Sequence, residues 1–327
     1  MTDQKTQRAP VETDEPTPQA PVKRWDKPMQ YIWTAMAGLG WLVYFWLVLV
    51  IPSTHKELPV VSQIAAVILG MMMLMAVLAL GERPRWPTVA RWWLFGAGAA
   101  VVALAFVFNL QQPQMRAVLA LALMAVSLPV GYWVGDQMQK VTNLIPVAVA
   151  FTCADIFSVW QGPSKKVVED LVEHQAEIEA VRSEAMANLP PEAAAAAADQ
   201  AAAAIRAPFV DYVVVHMPVP GMGTSVPVLG IGDFVIVALL FRVAWLHGIS
   251  PLAVGVSSLL SIIVALAVSQ FVGAAIPALP FIAVGVVGYL ALAYPRIRRL
   301  DRQEVLLSFG VIVLFAALAA ARWFGGV

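Results

Sequence analysis

Two stretches decide how this chain folds: VTNLIPVAVAFTCADIFSVW, residues 141–160, and VPVLGIGDFVIVALLFRVAW, residues 226–245. Each is overwhelmingly apolar, and each carries one carboxylate, Asp155 in the first and Asp233 in the second. An apolar run of about 18 or more residues is long enough to cross a bilayer as a helix. A carboxylate inside such a run is expensive to hold there and is usually kept for a function.

Working outward, comparable runs occupy residues 31–51, 59–80, 92–110 and 117–135 before the first aspartate, and 249–272, 275–294 and 305–322 after the second. The pattern predicts an all-α polytopic membrane protein with about nine transmembrane helices. They form two groups, 29–160 and 226–327, separated by a long extramembrane loop over 161–225 between the two aspartate-bearing helices. Composition agrees: of 327 residues 60% are hydrophobic and 13% charged, against about 25% charged in soluble domains, and mean hydropathy is +0.76. Residues 1–28 are polar and rich in Pro, Thr and Gln, and read as a disordered N-terminal tail.

Net charge is zero and no basic face stands out, so no nucleic-acid partner is expected. Cys153 is the single cysteine and HExxH is absent, so no metal site and no cofactor is expected. Within the loop, 165–186 is charged with Val167, Val168, Leu171, Val172, Ile178 and Val181 at helical spacing, which predicts an amphipathic surface helix. Alanine tracts follow. The β-branched and aromatic stretch Phe209 to Met217 predicts a strand, ended by Pro218, Pro220, Gly221 and Gly223. Lys and Arg are concentrated on the loops that share a side with the N-terminus, among them Arg83, Arg85, Arg91, Lys140, Arg242 and Arg298. That bias predicts a cytoplasmic N-terminus, and with five helices before it the long loop then faces away from the cytoplasm.

The two aspartates sit in consecutive, hence antiparallel, spans. Asp155 lies about five residues before the end of one and Asp233 about seven after the start of the next, so at 1.5 Å per residue both lie on the order of 8–10 Å below the same membrane face. Carboxyls that meet share a proton. One then acts as base on a water while the other, protonated, donates to a scissile carbonyl. Gly230 and Gly232 flank Asp233 where a helix is predicted and where each costs about 1 kcal/mol relative to Ala. They serve either close approach of a partner backbone or ordinary helix packing. Pro277 and Pro280 in Ile276-Pro-Ala-Leu-Pro-Phe281 disturb or open the eighth span.

Taken together, Ala154-Asp155, Gly230-Ile-Gly-Asp233 and Pro277-Ala-Leu279, in that order on the first aspartate helix, the second, and the second one after it, make the chain resemble the presenilin and signal-peptide-peptidase group of intramembrane aspartyl proteases. The similarity covers roughly residues 110–295. It implies that Asp155 and Asp233 are the catalytic pair, and that Leu229, Gly230, Gly232, Pro277, Ala278 and Leu279 line the substrate site. It also implies that the substrates are single-pass transmembrane proteins, with Val213–Met217 available to pair with an unwound substrate by strand addition. No accessory subunits are expected, and the expected location is the plasma (inner) membrane.

The pattern departs from the family at Ala154, where a tyrosine is usual, in one helix fewer before Asp155, and in one extra helix after Pro277-Ala-Leu279. A proton-coupled secondary transporter is the alternative, since it also uses buried carboxylates and broken helices, although no internal repeat is evident. Prepilin peptidases share Gly-x-Gly-Asp but not Pro-Ala-Leu. A serine rhomboid would need a histidine at the depth of Ser257 and Ser258, and none is there.

Overall fold

The computed structural model describes residues 27–50, 60–82, 86–110, 112–161, 209–220, 225–272, 276–298 and 300–325, with scattered positions between 173 and 187. Before the long loop the helices are α1 (Lys27–Val50), α2 (Val60–Gly81), α3 (Thr88–Val107), α4 (Pro113–Asp136) and α5 (Leu144–Gln161). After it, a 3-10 turn over Phe209–Tyr212 leads into β1 (Val214–Pro218) and β2 (Ser225–Gly230), then α6 (Ile231–His247), α7 (Pro251–Val272), α8 (Leu279–Ala293) and α9 (Arg302–Gly325). The expected disordered tail before residue 27 and most of the expected amphipathic face lie outside the described residues. The described positions from Glu173 to Ala187 are helical.

Among the described residues, seven helices are long and apolar enough to cross a membrane: α1 to α5, α7 and α9. Their outer faces carry exposed Trp46, Trp93, Leu252, Phe271 and Leu306, as befits a surface solvated by lipid. This is a membrane-embedded, multi-pass, mainly helical protein. The remaining two helices are shorter than the sequence predicts, α6 with 17 residues and α8 with 15. At 1.5 Å per residue they span about 25 and 22 Å against a hydrocarbon core of about 30 Å.

Both lose length at their N-terminal ends. The span expected from 226 begins as a strand, because Val226-Pro-Val228 combines β-branched residues with a proline that cannot continue a helix's hydrogen bonds. Helix starts only at Ile231, so Gly230 is its N-cap and Asp233 its third residue, not a position seven residues deep. In α8, residues 276–278 are non-helical and the helix opens at Leu279-Pro280, where proline is tolerated.

The two strands pair antiparallel, Val214 opposite Gly230 through Pro218 opposite Ser225, with a bulge between Val215 and His216. The predicted strand thus forms over its second half, its first half taking the 3-10 turn. β1 is buried from Val215 to Pro218 and packs on α4, α2 and α1, while β2 is the more open strand, with Pro227 exposed. A proline in an outer strand costs no ladder donor that a neighbour needs.

Packing divides the helices unevenly. α6 lies tightly along α4, where a Cβ at Gly131 would come 2.7 Å from the Ala238 Cβ and one at Gly135 would come 2.6 Å from the Arg242 Cγ. Arg242 closes the seam: its Nε and Nη2 donate to Asp136 Oδ1 at 2.9 and 2.6 Å, and its Nη1 donates to the Glu82 carbonyl at 3.2 Å. The Tyr132 ring carries the Arg242 and Arg91 guanidinium carbons 3.6 and 3.5 Å from its centre. α5, in contrast, leans on α9 and α8. Phe157 meets Phe315 edge-on with centroids 6.0 Å apart, and Lys140 Nζ bonds Asp301 Oδ2 at 2.6 Å just below.

Candidate active site

The site is built where three helix ends meet. α5 rises to Asp155 near its C-terminal end, and α6 and α8 both begin at that level. Below the aspartates the three helices close on a void of about 10 Å³ lined by Phe151 and Thr152 of α5, Ile236 and Leu240 of α6, and Leu279 and Ala283 of α8. Barely one water fits such a space. Thr152 lies one turn below Asp155 and Ile236 one turn below Asp233, so the seam carries both carboxyls above it.

Each carboxyl is held by one backbone N–H. The Gly230 N–H donates to Asp233 Oδ2 at 3.0 Å, closing a cap on the first turn of α6. The Leu279 N–H, first of α8, donates to Asp155 Oδ2 at 3.1 Å. The first N–H groups of a helix have no partner inside the helix, and here a carboxylate supplies one in each case. Two helix N-termini therefore point at the pair, the arrangement that stabilises negative charge. The two side chains are half-buried, and Asp155 lies near enough for its charge to act on Asp233.

Of the other residues singled out by sequence, Leu279 touches Asp155 directly, and Pro277 is buried immediately before it with Ala278 as the cap of α8. Leu229 is buried in the core as the ladder partner of Val215. Gly232 is exposed, and among the described residues a Cβ there would meet nothing within 4 Å, while at Gly230 it would meet Asp233 Oδ2 alone, at 3.8 Å. Neither glycine is thus required by helix packing, and Gly230 has an ordinary φ of −79°.

Sequence reasoning missed a charged cluster behind the sheet. Asp211 accepts from Arg116 Nη2 at 3.2 Å and lies 3.0 Å from His216 Nε2, with His216 only 3% exposed. Asp211 and His216 stand five apart in a stretch already read as a strand, but only the fold brings Arg116 of α4 to them.

No protein-family model, curated protein or solved structure matches this chain.

Proposed function

We propose that this protein is an intramembrane aspartyl endopeptidase akin to the presenilin and signal-peptide-peptidase group. The observation that carries the reading is the placement of Asp155 and Asp233 at the mouth of the α5–α6–α8 seam, each with one oxygen fixed by a backbone N–H at a helix start and the charge of the first acting on the second.

The chemistry follows from one proton shared by two carboxyls. The ionised member takes a proton from a water, whose oxygen attacks the peptide carbonyl carbon. The protonated member gives its proton to the carbonyl oxygen. The tetrahedral intermediate then collapses: the nitrogen leaves with the proton the base had taken, the C–N bond breaks, and one O–H of the intermediate returns its proton to the other carboxylate, so that the pair again shares one proton. No metal or covalent intermediate is required.

The short helices support the same reading. α6 and α8 complete a count of nine crossings, and their truncated ends leave non-helical backbone at depth, which a bilayer tolerates only beside protein or water. Water and an unwound substrate segment need that opening. β2 leads directly into Gly230-Ile-Gly-Asp233 and is the less covered strand, so it, more than the buried β1, offers its edge to an extended substrate. The exposed Gly232 leaves the space for that strand to approach. The substrates are single-pass transmembrane proteins, cleaved in the plasma membrane by a chain acting alone.

Purified protein in proteoliposomes, given a labelled transmembrane peptide, tests this. Cleavage is expected in the wild type and loss of at least about 1,000-fold in kcat, in keeping with removal of an acid–base partner, in both Asp155→Ala and Asp233→Ala. Proton-coupled uptake without cleavage would replace the reading with the transporter.

A further inference from the structure

We infer that His216 is a positioning residue for Asp233, tying the β1–β2 sheet to α4 through Asp211 and Arg116 when its ring carries two protons. The inference rests on reading Asp233 as one of the catalytic pair. The ring faces two acceptors: Nε2 lies 3.0 Å from Asp211 Oδ1 and Nδ1 lies 3.1 Å from the Val214 carbonyl oxygen. A carbonyl and an ionised carboxylate only accept, so only the imidazolium satisfies both at once, and the neutral ring must release one of them.

What lies opposite Val214 decides the consequence. Val214 is the ladder partner of Gly230, and the Gly230 N–H is the one that fixes Asp233 Oδ2. One residue on, the Ile231 N–H donates to the Val213 carbonyl at 3.1 Å. The bulge at Val215/His216 lies between the histidine and this cradle, the place where a ladder most readily shifts. At the other end, Asp211 is held by Arg116 at 3.2 Å, and Tyr212 donates to Asn109 at 2.9 Å, so the tie ends on the α3–α4 connection and the tightly packed α4.

The titratable and charged groups on the elements that meet β1 are Arg116, Tyr132 and Asp136 on α4, of which the last two meet Arg242, Asp211 and Tyr212 on the 3-10 turn, and Lys27, Tyr31 and Tyr44 on α1, the Tyr44 hydroxyl being bonded to Ala66. α2 and β2 contribute none. Burial pushes the His216 pKa below its ordinary 6.5, with the Asp211 bond pulling it back up. The doubly bonded form is therefore made on the acid side of that value. Two opposite slopes result. A folded pKa below the unfolded one means that the folded chain binds fewer protons, so the histidine's contribution to stability falls as pH drops through the window. The tie to Asp233, however, is made in that same window.

The experiment uses full-length protein in proteoliposomes, cleavage of a labelled transmembrane peptide from about pH 5 to about pH 7.5, and amide hydrogen exchange at Gly230 and Ile231. In the wild type kcat should decline as pH rises through the His216 window, while the melting temperature moves the other way. In His216→Gln that step should vanish. At the acid end kcat should be about tenfold lower with KM unchanged, and exchange at the two amides about tenfold faster, as for the loss of one charge-assisted hydrogen bond. Asp211→Asn keeps the ring but puts an amide donor opposite Nε2, so the neutral ring can bond both partners and the step should flatten; it decides the matter if the glutamine variant does not fold. Variants whose pH profile and exchange both match the wild type overturn the inference. If the wild type cleaves nothing, the protease reading fails, and exchange alone then decides whether His216 sets the Gly230–Asp233 cap.

Discussion

Two glycine pairs lie on either side of α6, and what surrounds them differs completely. Gly131 on α4 has the α6 backbone pressed against it and Gly135 the Arg242 side chain, whereas among the described residues Gly230 has only the Asp233 carboxyl nearby and Gly232 faces open space. The first pair lets one helix lie against another, anchoring the helix that carries Asp233. The second leaves room beside the carboxylate that no part of the described chain fills. The comparison teaches that α6 is fixed by its far side and left accessible at the end that carries Asp233, the layout the proposed protease needs if a substrate backbone is to come close.

The anchoring side should break most severely at Arg242. Its guanidinium satisfies Asp136 and the Glu82 carbonyl, and the Glu82 side chain beside it is fully buried with neither oxygen bonded among the described residues. Arg242→Ala leaves Asp136 only the Arg91 guanidinium at 3.5 Å and leaves the Glu82 carbonyl without its donor. Breaking a buried pair costs about 3–5 kcal/mol; with Asp136 one-third exposed, about 3 kcal/mol is expected after allowing for solvent screening. Denaturant unfolding in detergent measures it, and a loss under about 1 kcal/mol would show that the network is not what holds α6 to α4.

Gly131→Val should come next, at about 1–3 kcal/mol. The added carbon would meet the Ala238 Cβ at 2.7 Å and the Leu239 nitrogen at 2.8 Å, and backbone atoms cannot turn aside as a flexible side chain does. The helices must separate, so melting temperature and activity should fall together. Unchanged stability would mean that α4 and α6 are not in close contact.

How much of this was legible beforehand can be judged residue by residue. The long apolar runs announced the spanning helices, and the two aspartates stood out as a candidate site, because burying a carboxylate in lipid leaves a mark in sequence. Pro277-Ala-Leu279 was singled out by its resemblance, but nothing in its letters says that the Leu279 N–H would hold Asp155. Val226 to Gly230 was misread as the start of a helix, since a short apolar run fits strand and helix alike and Pro227 settles the matter only with β1 alongside. Arg242 was counted among loop charges, although it is buried within α6 against Asp136. Gly131 and Gly135 passed unremarked, because glycine is common in membrane helices and its role depends on a partner 100 residues away in the chain.

The smallest effect on stability is expected at Gly232, and it sharpens the comparison most. A Cβ there meets nothing within 4 Å, and replacing an exposed helical glycine by alanine is favourable by up to about 1 kcal/mol. Gly232→Ala should therefore melt at the same temperature as the wild type or slightly above it. If the empty space is where an extended substrate lies against the enzyme, the methyl group occupies it, and cleavage should fall by about tenfold or more, the penalty of moving a scissile bond away from its attacking water. A variant both stable and fully active would show that the space beside Asp233 goes unused in the reaction. A variant that unfolds would show that something packs there after all, and the contrast between the two glycine pairs would disappear.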